Sequence, residues 1–185
     1  MKCDKKDLLL YAVTDRAWVG EKTLKQQVEE ALRGGVTCLP LREKGLSEEE
    51  FLEEAKEILE LTKRYRVPLI INDHIRIAQE AGADGVHLGQ DDVRADIARE
   101  MLGPEKIIGI SARTVEQAVR AWKMGADYLG CGAVFATSTK QDAKLMTRQT
   151  LQEITKAVPI PVVAIGGINR ENLKKLRGTG VAGAA

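Results

Sequence analysis

Arg42, Lys44 and Lys140 are three cations that follow apolar runs, the first near the end of "VTCLPLRE" (36–43), the second just after it and the third beyond "YLGCGAVF" (128–135). Together they suit a multiply charged anion such as pyrophosphate, because a guanidinium forks onto two oxygens and an ammonium adds a point charge. Taken singly, each also reads as an ordinary solvated charge. Asp73 closes "PLIIND" (68–73) and Asp92 follows "GVHLGQ" (85–90). Two neighbouring carboxylates facing phosphate oxygens suit Mg²⁺, which takes one or two carboxylates plus phosphate and water. The same two residues could instead cap the helices that follow them. "VFATSTKQDAK" (134–144) sets Thr137, Ser138, Thr139 and Lys140 in a long stretch without apolar period. Compact domains seldom keep such a loop without a use. In "AIGGINREN" (164–172), Gly166 and Gly167 let the backbone approach an anion. A helix opening at Asn169 would aim its N–H groups there, and a plain tight turn is the alternative.

Other chemistries lack their parts. No Ser–His–Asp order, no H-E-x-x-H and no zinc spacing occurs, and His74 and His87 are the two histidines. His87 lies inside an apolar run, where it packs or hydrogen-bonds, and His74 follows Asp73 into a helix start. Phosphate grips and a metal with little acid–base equipment favour displacement of a pyrophosphate, where stabilising the leaving group supplies most of the catalysis.

These residues share one position, the end of a strand. The candidate strands are 8–15, 36–43, 68–73, 85–90, 106–111, 128–135 and 161–167, each a near-continuous apolar run. Such runs mark parallel strands buried on both faces. Amphipathic stretches separate them. "SEEEFLEEAKEILELTKRY" (47–65) opens with Ser47 and Glu50 as a capping box, and "TVEQAVRAWKMG" (114–125) runs from Thr114 to a Gly125 cap. "RGGVT" (33–37), "GADGV" (82–86), "GADYL" (125–129) and "GTGVA" (178–182) each join a helix end to a strand, about every second βα unit. Seven βα units with an eighth strand starting at Val181 predict one TIM (β/α)₈ barrel domain over 1–185, short at its C-terminus. An open doubly wound sheet would need a glycine-rich phosphate loop after the first strand, and "VTDRAWVGEK" has none. In a barrel, the chemistry gathers at the C-terminal strand ends, which here carry Arg42, Lys44, Asn72, Asp73, Asp92, Ser111, Thr137, Thr139 and Lys140.

Composition sets the surroundings. A net charge of +1 gives no field that favours nucleic acid or a membrane surface. Cys3, Cys38 and Cys131 show no C-x-x-C spacing, and the latter two sit in apolar runs as small hydrophobes. A reduced, cytoplasmic setting is expected. No stretch approaches the ~18 apolar residues of a membrane span.

"YAVTD", "LREK", "IIND", "GADGVHLGQDD", "IIGIS", "GADYLGCGAVFATSTK" and "IPVVAIGGI" together resemble the thiamine-phosphate synthase family, in order from Tyr11 to about Gly183. The resemblance implies a transferase joining an aminopyrimidinylmethyl pyrophosphate to a thiazole phosphate, giving thiamine phosphate and pyrophosphate with Mg²⁺ as cofactor. It assigns Asp73 and Asp92 to the metal and Arg42, Lys44 and Lys140 to catalysis. It sets Asn72 and Ser111, with those cations, on the pyrimidine pyrophosphate. Pro40, Leu41 and Glu43 of the same motif count among the substrate-binding residues. Thr137, Ser138, Thr139 and Gly167 form the side of the thiazole phosphate.

Two departures stand out. Pro40 occupies the place of the family's glutamine, and the chain stops at "GVAGAA", before the family's Val-Ser pair and final helix. Open strand edges and an uncovered apolar patch there predict self-association. Two other readings stay open. A thiazole tautomerase of the related branch would carry a histidine soon after the fifth strand, where this chain reads "SARTVEQ". A non-catalytic, phosphate-binding barrel is the other.

Overall fold

The computed structural model describes residues 3–137 and 145–185. Seven parallel strands stand side by side in chain order: β1 (Leu39–Leu41), β2 (Leu69–Asn72), β3 (Gly85–Leu88), β4 (Ile107–Ala112), β5 (Tyr128–Gly132), β6 (Val162–Ile165) and β7 (Gly183–Ala184). Helices α1 (Leu24–Arg33), α2 (Glu48–Tyr65), α3 (Ile75–Ala81), α4 (Ala95–Leu102), α5 (Val115–Lys123) and α6 (Arg148–Ala157) connect them. This is an α/β, TIM-like arrangement, incomplete as a barrel.

Local chemistry starts and stops the elements as the sequence predicts. Ser47 Oγ accepts from the Glu50 N–H (3.2 Å) while Glu50 returns a carboxylate to the Ser47 N–H (2.8 Å). Thr114 caps α5 through the Gln117 N–H, and Gly125 follows that helix with φ +92°. Alternation of side chains along each strand then separates two cores. Leu39, Leu41, Leu69, Ile71, Leu129 and Val162 pack against the helices, whereas Tyr11, Cys38, Ile70, Tyr128 and Val163 fill the space the sheet encloses.

The recurring glycine turns share a hydrogen-bond pattern. Asp84 donates its N–H to Leu69 O and accepts from Leu69 N–H through its carboxylate (2.8 Å). Asp127 does the same with Ile108, and Thr37 with Leu10 through its hydroxyl. Each turn thereby fixes the register of the strand beside it. Ala182 takes this place in the fourth turn and keeps the backbone bond alone, to Val162 O.

Three expectations are corrected. Residues 8–15 do not form a strand, since Lys5–Leu8 is a 3₁₀ turn and only Leu10 and Tyr11 bridge, to Ala184 and Cys38. Pro40 is one reason. It accepts the Thr14 N–H (3.0 Å) but has none to return, so the ladder between β1 and this segment lacks a bond. Open edges at the last strand are absent as well, because Ala184 bonds Leu9 and Tyr11 on one side while Ala185 donates to Ala164 on the other. No helix opens at Asn169. Its N–H goes to the Asn172 side chain (2.8 Å), and a four-residue 3₁₀ turn, Leu173–Leu176, follows.

Candidate active site

At the C-terminal strand ends, β2 delivers Asn72 and Asp73, and the loop after β3 delivers Asp92. Asp73 adopts φ +66°, a left-handed conformation that a non-glycine residue holds only when its surroundings demand it. The Asp73 N–H is tied to His87 O (2.9 Å), and its carboxyl meets Asp92. Partial burial and then the Asp92 charge raise the Asp73 carboxyl above the ordinary carboxylate range, while Asn72 donates to it and opposes the shift. Capping does not explain the pair. His74 and Arg94 hold the N-cap positions of α3 and α4, and neither helix has a side-chain cap bond. Asp92 instead accepts the Gly89 N–H (2.6 Å). Two carboxyls pressed together on a solvent-facing rim fit a divalent cation, which would remove the repulsion between them.

Beside them, the loop after β1 holds Arg42 by its backbone: its N–H donates to Thr14 Oγ1 (2.9 Å) and its carbonyl accepts from the same hydroxyl (3.3 Å). Lys44 is exposed, and among the described residues neither cation forms an ion pair. The rest of the motif points elsewhere. Leu41 packs its side chain among the helices, Pro40 is buried in β1, and the Glu43 side chain is 2% exposed against Arg16. Thr137 is half-buried after β5, and Ser138, Thr139 and Lys140 lie outside the described residues.

Beneath the rim lies a polar layer only partly foreseen. Tyr11 and Tyr128 hydroxyls are 2.7 Å apart, His87 Nδ1 lies 3.0 Å from Tyr128 and 3.3 Å from Tyr11, and Nε2 lies 3.0 Å from Ser111 Oγ. Burial lowers the His87 pKa to about 4, so the ring is neutral, and it raises both phenols, so each keeps its proton. Counting protons assigns the tautomer. Two phenolic protons need two acceptors, one being a phenol oxygen and the other an unprotonated Nδ1. The ring proton is therefore on Nε2 and donates to Ser111. With its oxygen accepting, Ser111 has its own O–H to offer to a ligand at the mouth. The signal in the sequence was the small residues opposite: a side chain at Gly109 would strike the Tyr128 ring, and one at Gly130 would strike His87.

Gly167 has its own reason to be glycine. At φ +64°, any Cβ would run into the carbonyls of Phe135 and Ala136, so the β5 and β6 loops touch backbone to backbone here. Asn172 also holds the Gly167 carbonyl (2.8 Å).

Known proteins resemble this chain closely. The family model for thiamine monophosphate synthase matches residues 10–185. A thiamine-phosphate synthase of Ruminiclostridium cellulolyticum is 51% identical over 97% of this chain and 85% of its own length. One from Clostridium tetani is 50% identical over 97% and 86%. The solved structure of a thiamine phosphate pyrophosphorylase from Pyrococcus furiosus superposes with a TM-score of 0.89 at 40% identity, over 98% of this chain and 86% of that one. An N-acetylmannosamine-6-phosphate 2-epimerase from Clostridium perfringens shares only the fold, at 16% identity and a TM-score of 0.67. With the family model covering nearly the whole chain and relatives matching half its residues, the chain belongs to the thiamine monophosphate synthase family.

Proposed function

We propose that this thiamine-phosphate synthase works as a (β/α)₈-type barrel that joins an aminopyrimidinylmethyl pyrophosphate to a thiazole phosphate at the rim described above. The observation that carries the reading is the contact between Asp73, at the end of β2, and Asp92, in the loop after the neighbouring β3, with neither spent on a helix cap. These two carboxylates would hold Mg²⁺, which when bound supplies positive charge to the departing pyrophosphate. Arg42 and Lys44 bind the same pyrophosphate from the β1 loop, and Lys140, outside the described residues, is given the same role by the family resemblance alone. Ser111 donates its O–H to the pyrimidine, and Asn72 orients Asp73. In the step itself the thiazole nitrogen lone pair forms the new C–N bond. The methylene C–O bond breaks, and its electron pair leaves on pyrophosphate. The nitrogen has no proton to lose, which agrees with a site whose buried histidine is neutral and already engaged on both nitrogens.

Pyrophosphate release from the two substrates, titrated with Mg²⁺, tests this. Asp73→Asn and Asp92→Asn should each weaken the response to Mg²⁺ while leaving the circular dichroism spectrum and melting temperature near those of the parent. Lys140→Ala should lower kcat by roughly 2 to 4 kcal/mol of transition-state stabilisation. An unchanged Mg²⁺ titration in both aspartate variants would sink the metal assignment.

A further inference from the structure

Outside the rim, Arg16 sits between two carboxyls. Its Nε donates to Glu43 Oε2 (2.7 Å) and its Nη2 to Glu54 Oε1 (2.5 Å). The two acidic side chains are 2% and 15% exposed. Their remaining oxygens, Glu43 Oε1 and Glu54 Oε2, are buried with no hydrogen-bond partner among the described residues. One guanidinium cannot neutralise two buried carboxylates, and a carboxylate pair side by side has no donor to satisfy those oxygens. A single proton held between them settles both problems.

The three residues come from three elements. Arg16 is on a 3₁₀ turn, Arg16–Trp18, capped by Asp15, Glu43 lies between Arg42 and Lys44, and Glu54 is on α2. Thr14, two residues before Arg16, holds the Arg42 backbone. We propose that Glu43 and Glu54 share one proton and, with Arg16, form a brace that sets the loop carrying Arg42 and Lys44 over the mouth. The positioning half of this rests on the reading of the rim as an anion site. Glu43 and Glu54 are positioning residues, since neither side chain faces the mouth.

The charged groups facing Glu54 are Arg16 from the turn and Glu43 from the loop. Glu50, one turn earlier on α2, also feels Arg16 but is engaged with Ser47. Burial and then the Glu43 charge push the Glu54 carboxyl up to about 7, against the pull of Arg16. Above that pH a second negative charge appears inside the brace, and the loop loses its fixed setting.

Binding of inorganic pyrophosphate, measured by calorimetry on the whole chain below and above neutrality, is compared between the parent and Glu54→Gln, which keeps a donor but has no proton to lose. The parent should lose affinity several-fold relative to Glu54→Gln as pH rises through about 7. Comparing ratios removes the titration of pyrophosphate itself. Melting temperatures are read alongside, and the parent should lose stability relative to the variant over the same rise. Parallel pH profiles in both measurements would overturn the brace. A stability difference with no pyrophosphate binding by either protein would support the shared proton and overturn the positioning role together with the reading of the rim. If Glu54→Gln does not fold, Glu43→Gln takes its place with the same expected outcomes.

Discussion

His87 illustrates how one residue's setting limits what it can do. Its pKa in the folded chain, about 4, lies below its ordinary value of 6.5 because the ring is fully enclosed. The unfolded chain therefore binds a proton that the folded chain refuses. Stability from this group is present above 6.5 and is lost as pH falls through the window down to about 4. A shift of that size corresponds to something on the order of 3 kcal/mol. In His87→Asn the part of the acid-side decline in melting temperature that lies within this window should disappear. A parent and variant with the same slope there would show that the ring is not held neutral. Ser111→Ala gives a companion test. It leaves the His87 N–H without an acceptor and removes the O–H that the proposed reaction uses to hold the pyrimidine, so KM for the pyrimidine substrate should rise while the Mg²⁺ dependence stays as in the parent.

At the level of elements, the strands must make room for this polar layer. Gly109 on β4 lies opposite Tyr128 on β5, and the ring occupies the space that a side chain at 109 would need. Gly109→Ala should therefore push Tyr128 out of its contacts with Tyr11 and His87. Overpacking of this kind costs about 1 to 3 kcal/mol, to be read from urea denaturation. Activity should fall together with stability, because the displaced ring is part of the layer that holds Ser111. A neutral substitution would mean that β4 and β5 can slide apart, which their four-residue register argues against.

Across the whole molecule, the turns at Thr37, Asp84 and Asp127 tie the Leu10 segment to the start of β1, β2 to β3 and β4 to β5, at the end remote from the site. Asp127 does more than Asp84. It also pairs with Arg99 at 2.6 Å, and Arg99 reaches the carbonyls of Gly103, Lys106 and Gly125. Asp127→Ala would strand a partly buried guanidinium as well as the Ile108 N–H. It should cost more than Asp84→Ala, each being on the order of 1 to 3 kcal/mol. Equal losses in denaturant would show that the Arg99 hub is held by its carbonyls alone. Neither change should alter KM, since the clamps lie at the other end of the strands.

The sequence by itself determined the order of elements, the parallel sheet and the strand ends where Asn72, Asp73 and Ser111 emerge. Those follow from apolar runs buried on both faces, from capping residues such as Ser47 and Thr114, and from glycine turns, all of them local in the chain. The metal and capping readings of Asp73 and Asp92 both stayed open in sequence, with the metal favoured by spacing, because a carboxylate before a helix serves either. Only the fold removes the capping alternative, because His74 and Arg94 hold the N-cap positions and the two carboxyls meet each other instead, which is what supports the proposed metal role. The same holds for Glu43. Its motif places it between two rim cations, yet strand alternation sends it outward, where Arg16 and Glu54, 27 and 11 residues away in the chain, complete a brace. The failure of residues 8–15 to form a strand also has a distant cause, the missing N–H of Pro40 in the neighbouring strand. Such pairings depend on contacts between residues far apart in the chain, and only the folded sheet brings them within a hydrogen bond of each other.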